Sequence, residues 1–132
     1  MNINIRGELY SLESPKVMGI LNLTPDSFYD GGKFSSEKKI LKHVVSMLKN
    51  GMDILDVGGY SSRPGAKNIS VKEEEKRVIP ILKYLRKEFK DLIISVDTFR
   101  SEIARKSIEN GADIINDISA GEIDEEIMNV VS

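Results

Sequence analysis

Short apolar runs, separated by polar loops and amphipathic stretches, organise this chain. Asn2 to Arg6 and Glu8 to Leu12 alternate polar and apolar residues about Gly7, which predicts a small hairpin that ends at Pro15. Val17-Met18-Gly19-Ile20-Leu21 is then nearly unbroken in its apolarity, the pattern of a strand covered on both faces, and it stops at Asn22. Ser35 or Ser36 can cap a helix that carries Ile40, Val44, Met47 and Leu48 on one face, with Asn50-Gly51 as its left-handed stop. Ile54-Leu55-Asp56-Val57 is the second buried run. Ser70-Val71-Lys72-Glu73 has the form of a capping box and opens a helix from about Val71 to Phe89, in which Pro80 predicts a kink. Leu92 to Val96 is the third run, a helix from about Ser101 to Glu109 ends at Asn110-Gly111, and Ala112-Asp113-Ile114-Ile115 begins the fourth. A further helix starts between Asp124 and Val131.

The unit repeats. Asn50-Gly51-Met52-Asp53-Ile54-Leu55-Asp56 aligns with Asn110-Gly111-Ala112-Asp113-Ile114-Ile115-Asn116, so a strand and a helix alternate and the sheet is parallel. Two architectures satisfy this pattern: an open doubly wound sheet of the flavodoxin kind, or part of a barrel. A complete (β/α)8 barrel takes about 250 residues. Four units in 132 residues are about half of that, so the barrel reading makes this a truncated chain.

Composition narrows the class. Lys and Arg number 19 against 21 Asp and Glu, a net charge of -2 that leaves no electrostatic footprint for nucleic acid or an anionic membrane. The absence of cysteine excludes disulfides, thiolate metal sites and a Cys nucleophile from this stretch. No apolar run approaches the ~20 residues of a membrane span, and a cytoplasmic location is expected.

The candidate chemistry sits where the strands end. Asn22, Asp56, Asp97 and the pair Asn116-Asp117 close the four runs, and in a parallel α/β sheet those C-terminal ends share one edge. Carboxylates and carboxamides in such a row can accept from and donate to a flat heterocycle bearing amino and lactam groups. Two long loops leave the same edge. The first, Thr24 to Phe34, holds two aromatics and paired glycines; the second, Gly58 to Ala66, holds glycines for close backbone approach and Arg63 for phosphate or carboxylate. The lone His43 is expected on a helix surface, and Glu73, Glu74 and Glu75 are expected to be N-terminal helix charges that complement the dipole.

The segments Met18-Gly19-Ile20-Leu21-Asn22-Leu23-Thr24-Pro25-Asp26-Ser27-Phe28 and Gly58-Gly59-Tyr60-Ser61-Ser62-Arg63-Pro64-Gly65-Ala66 closely resemble the two signature segments of dihydropteroate synthases. Ser95-Val96-Asp97-Thr98 and Ala112-Asp113-Ile114-Ile115-Asn116-Asp117 resemble that family's next two strands. The resemblance implies a TIM barrel, of which residues 1–132 are the N-terminal half of one domain, four βα units behind a β-hairpin, usually as a homodimer when full length. It implies condensation of a dihydropterin methyl diphosphate with p-aminobenzoate, with Mg²⁺ held by Asn22. It further implies pterin binding by Asp97 and Asn116 with Ile118 flanking the ring, a contact from Ser62 to the pterin diphosphate, and a p-aminobenzoate pocket framed by Arg63, Pro64 and Phe28. Asp30 is implied as the anion that stabilises a pterin methyl cation, Arg63 as a catalytic cation, and Asp56 as a support behind the site. Ser62 stands where the family more often has threonine. The family's further pterin-binding Asp, its Lys on the ring, and its C-terminal Arg and His have no counterpart here, so the chain alone is expected to be inactive and poorly soluble. The competing readings are a methyltetrahydrofolate-binding methyltransferase domain and a non-catalytic pterin-binding half-barrel.

Overall fold

Each Asn-Gly stop and the apolar run after it form one turn of a repeating unit in the computed structural model, which describes residues 1–24, 33–60 and 69–132, with the backbone alone at 33–35. An antiparallel hairpin, β1 (Asn2–Ile5) and β2 (Glu8–Ser11), comes first. Its two-residue turn needs positive φ at both central positions, and Arg6 (52°) and Gly7 (86°) supply it. Then follow β3 (Met18–Asn22), α1 (Lys33–Lys49), β4 (Ile54–Gly58), α2 (Val71–Glu88), β5 (Ile93–Asp97), α3 (Ser101–Glu109), β6 (Ile114–Asn116) and the short α4 (Ile127–Val131).

The four long-range strands are parallel and lie in chain order, β3-β4-β5-β6. That order excludes the flavodoxin arrangement, where the first strand lies inside the sheet, and matches the winding of a (β/α)8 barrel, four units of which are present. Leu21, Leu55, Val57, Ile94 and Val96 face Ile40 and Val44 of α1 and Val78, Leu82 and Leu85 of α2, all buried in one core. The opposite face of β3 is open, with Met18 41% and Ile20 53% exposed.

The repeat has a structural cause. Gly51 (φ 95°) and Gly111 (φ 109°) end α1 and α3 in a conformation that L side chains rarely adopt. Two residues on, each aspartate reaches across to the neighbouring strand: Asp53 Oδ2 accepts from Val17 N (2.8 Å), and Asp113 Oδ2 from Ile94 N (3.0 Å). Asp113 also holds Arg86 and the hairpin's Arg6, each at 2.8 Å, which pins the hairpin beneath the N-terminal strand ends. A cleft of about 500 Å³ beside the hairpin, lined by Arg6, Tyr10 and Asp91, therefore lies at the end of the sheet away from the loops.

Two expectations change. Ser35 and Ser36 lie within α1, which starts at Lys33, so neither is its cap. Half of the capping box forms: Ser70 Oγ accepts from Glu73 N at 3.1 Å, whereas the Glu73 carboxylate takes Arg77 Nε at 3.0 Å. α2 runs unbroken through Pro80, and His43 is on the surface as expected. Among the described residues no helix is long and apolar enough to cross a membrane.

Candidate functional site

Parallel register converts strand ends into a site. Asn22 pairs with Gly58, Gly58 with Asp97, and Asp97 with Asn116, so the three polar residues form one row across the sheet at the edge where the loops depart. Gly58 leaves the middle of the row without a side chain. A Cβ there would lie 3.6 Å from Asp97 Cβ and 3.8 Å from its Oδ2, so a larger residue would stand against the Asp97 carboxylate. Two residues inward the paired row is Ile20, Asp56, Ser95 and Ile114. Because strand side chains alternate with a period of two, both rows share the face turned away from the helices.

Burial sets the electrostatics. Asp56 is 3% exposed, and burial raises its pKa against the opposing pull of the Ser95 and Asn116 side chains. Asp97 is pushed up to about 6 by burial first and then by the nearby carboxylates of Asp56, Glu74 and Asp117. Asp56 Oδ1 and Asp97 Oδ1 are both buried without a hydrogen-bond partner among the described residues. A buried acceptor lacking a donor costs about 1–3 kcal/mol, which a ligand N–H can recover.

Not every strand-end residue serves the site. Asp117 folds its own loop: Oδ1 accepts from Ser119 N (2.9 Å) and Ser119 Oγ (2.7 Å), and Oδ2 from Gly121 N (2.8 Å). Burial alone would raise its pKa, but these hydrogen bonds outweigh it and lower it. Ile118 projects from that loop 72% exposed, just past Asn116. Phe28 and Asp30 in the first loop, and Ser62, Arg63 and Pro64 in the second, lie outside the described residues.

The expectation for Glu74 fails. It is fully buried rather than a solvated dipole charge, and Arg100 Nη1 meets its Oε1 at 2.8 Å. Burial raises its pKa, opposed by Thr98 and Arg100. The signal was present in the spacing, since Glu74 is four residues before Val78 and eight before Leu82 on the apolar stripe of α2. Arg100 also lies over the Phe99 ring (4.9 Å), which meets Tyr60 edge-on at 5.7 Å between centroids. The Tyr60 hydroxyl is buried without a partner among the described residues, and its pKa is raised by burial and by Asp97 and Glu74.

No cluster of three or more His, Cys, Asp or Glu poised for a metal occurs among the described residues. What the row offers a cation is Asn22, a neutral, exposed oxygen donor. That suits Mg²⁺ arriving on a phosphate and keeping most of its water, and does not suit a preformed protein cage.

A four-unit parallel sheet with carboxylates and carboxamides along its C-terminal edge is the arrangement of a barrel whose polar groups gather at the mouth. The family model described as pterin binding enzyme matches residues 18–132, and the chain belongs to that family. It is 55% identical over 118 residues to the folate synthesis bifunctional protein of Arabidopsis thaliana, covering 88% of this chain and 24% of that one. To the dihydropteroate synthase of Synechocystis it is 49% identical over 116 residues, covering 88% and 40%. The crystal structure of 7,8-dihydropteroate synthase from Vibrio fischeri superposes with a TM-score of 0.84 at 39% identity, covering 99% of this chain and 46% of that one. The Xanthomonas albilineans dihydropteroate synthase with 4-aminobenzoic acid gives 0.85 at 39%, covering 98% and 48%. The chain thus spans less than half the length of these relatives.

Proposed function

We propose that this chain supplies the first half of the active site of a dihydropteroate synthase, one barrel domain completed by four further βα units. The reaction condenses (7,8-dihydropterin-6-yl)methyl diphosphate with p-aminobenzoate to 7,8-dihydropteroate and diphosphate. The observation that carries this reading is the pair of buried acceptors, Asp56 Oδ1 and Asp97 Oδ1, beside Asn116 on one face. A pterin edge presents the ring N–H and amino donors that such oxygens lack. Relatives support the ligands: the Xanthomonas albilineans enzyme is described in complex with 7,8-dihydropteroate, and the Yersinia pestis enzyme with a sulfonamide drug.

Asp97 and Asn116 hold the pterin, Ile118 flanks its ring, and Asp56 fixes the floor beneath them. Asn22 stands at the end of the row where the diphosphate would lie, positioned to hold Mg²⁺, which would offset the charge of that leaving group. Ser62 contacts the same substrate, and Arg63, Pro64 and Phe28 frame the p-aminobenzoate. The C–O bond to diphosphate breaks, the Asp30 carboxylate stabilises the pterin methyl cation, and the arylamine nitrogen forms the new C–N bond and then loses its proton. A strong electrophile makes a general base dispensable. By the same family resemblance, the complete enzyme works as a cytoplasmic homodimer.

The test is p-aminobenzoate-dependent, Mg²⁺-dependent pyrophosphate release, measured on the chain alone and after the remaining half of a relative's barrel is supplied. Turnover only in the second case supports the reading and makes the isolated chain inert. Silence in both, with pterin still bound, would instead favour a pterin-binding protein that is not a synthase. In the active assembly Asp30→Asn should lower kcat by about a hundred-fold or more while pterin affinity moves little. Equal losses in both would remove Asp30 from the cation-stabilising role.

A further inference from the structure

We infer that Glu74 and Arg100 are positioning residues: they fix the residues that flank segment 61–68 on the site edge, Ile69 by hydrogen bond and Gly59 and Tyr60 by packing, with Arg77 bonding the Gly59 carbonyl. The effect on substrate rests on the synthase reading; the anchoring does not.

The residues on both sides of the segment are tied to the first turns of α2. At the far end, the Ile69 carbonyl accepts from Arg100 Nη2 at 2.5 Å, while Nη1 of the same guanidinium meets Glu74 Oε1 at 2.8 Å. At the near end, the Gly59 carbonyl accepts from Arg77 Nη1 at 2.9 Å. Gly59 also lies directly on α2: a Cβ there would stand 2.9 Å from Val78 Cγ2 and 3.2 Å from Glu74 Cγ. Tyr60, the last described residue before the segment, meets Phe99, and Phe99 carries the Arg100 guanidinium on its face. One arginine thus joins the roots of the loops leaving β4 and β5 to the start of α2, and one carboxylate orients that arginine.

Energetics favour a geometric role over a stabilising one. A carboxylate with no exposure pays heavily for desolvation, and an apolar residue at position 74 would continue the buried stripe of α2 without that cost. The dipole is already served by the partly exposed Glu73 and Glu75. What an apolar side chain cannot do is hold a planar guanidinium so that its second arm reaches the Ile69 carbonyl.

The experiment is hydrogen exchange read by mass spectrometry on this chain as wild type, Glu74→Gln, Arg100→Met and Arg100→Lys. Amides at 60–69 should exchange about ten-fold faster or more in Arg100→Met, with β4, β5 and the body of α2 unchanged, and Arg100→Lys should fall between. No change at 60–69, or equal acceleration throughout α2 and β5, would overturn the proposal. Should Arg100→Met fail to fold, Glu74→Gln decides by the same criterion. In an assembly that turns over, Glu74→Gln should raise KM for p-aminobenzoate about ten-fold while affinity for the pterin diphosphate, held mainly from the sheet, shifts about two-fold or less. Equal loss for both substrates would reduce the pair to a fold-stabilising role. A wild type that never turns over sinks the synthase reading and leaves exchange to decide the anchoring.

Discussion

At the scale of single residues, Asp97 is the group whose charge the site regulates. The folded chain holds it near 6, while an unfolded aspartate titrates near 3.8, so the folded state binds the extra proton between those values. Its contribution to stability is therefore fully present below about pH 4 and lost as pH rises through 6. Under the proposed function ligand binding runs the other way, because a ring N–H bonds more strongly to the carboxylate than to the protonated acid. Pterin affinity should fall as pH drops below about 6, and Asp97→Asn should flatten that dependence as well as weaken binding. Fluorescence titration of a pterin between pH 5 and 8 checks this; an unchanged profile in Asp97→Asn would assign the titration to another group. Asn22, Asp97 and Asn116 were legible in the sequence because each polar residue interrupts an apolar run at the same point of the unit. Glu74 was not, since a string of three glutamates at a helix start looks like dipole compensation until helical phase is counted. Asp117 misled for the opposite reason: its place at a strand end is the same whether it faces a ligand or, as here, its own loop.

At the scale of elements, the two Asn-Gly stops offer a matched pair. Both glycines hold positive φ, but a Cβ at Gly51 meets open space, whereas one at Gly111 would lie 2.9 Å from Arg86 Cγ. Arg86 in turn bonds the Phe89, Lys90, Leu92 and Gly111 carbonyls and Asp113, which ties α2 to β5 and β6. Gly51→Ala should cost about 1 kcal/mol, the backbone term alone. Gly111→Ala should cost about 2–3 kcal/mol, with Arg86 displaced as well. Urea denaturation of the two variants separates the terms, and equal midpoints would show that Arg86 simply moves aside. Element type and order were legible from periodicity and from these stops. Three strand ends, Asn22, Asp97 and Asn116, were legible as the polar residues that close the apolar runs; the second was placed two residues early at Asp56, because the parallel ladder extends through Val57 to Gly58. The start of α1 was misplaced because serine is a good cap in general, while Ser36 here is a buried helical residue.

At the scale of the whole molecule, the sheet is covered by helices on one face and open over β3 on the other. Met18 and Ile20 stand exposed there, and Ile118, Ile123 and Met128 are exposed beyond β6. Apolar surface of this kind binds environment-sensitive dyes and other apolar surfaces. The isolated chain should brighten anilinonaphthalene sulfonate, and supplying the remaining half of a relative's barrel should quench that signal; a dim isolated chain would show that the face is covered in solution. Barrel against open sheet was not legible from periodicity, which the two architectures share, and strand order decided it. That order has a consequence for synthesis. Each of β4, β5 and β6 pairs with the strand made just before it, so each unit can dock on a finished neighbour as soon as it leaves the ribosome. The carboxylates of the site would then be brought to one edge progressively, by growth from the N-terminus, before any later part of a longer polypeptide had been translated.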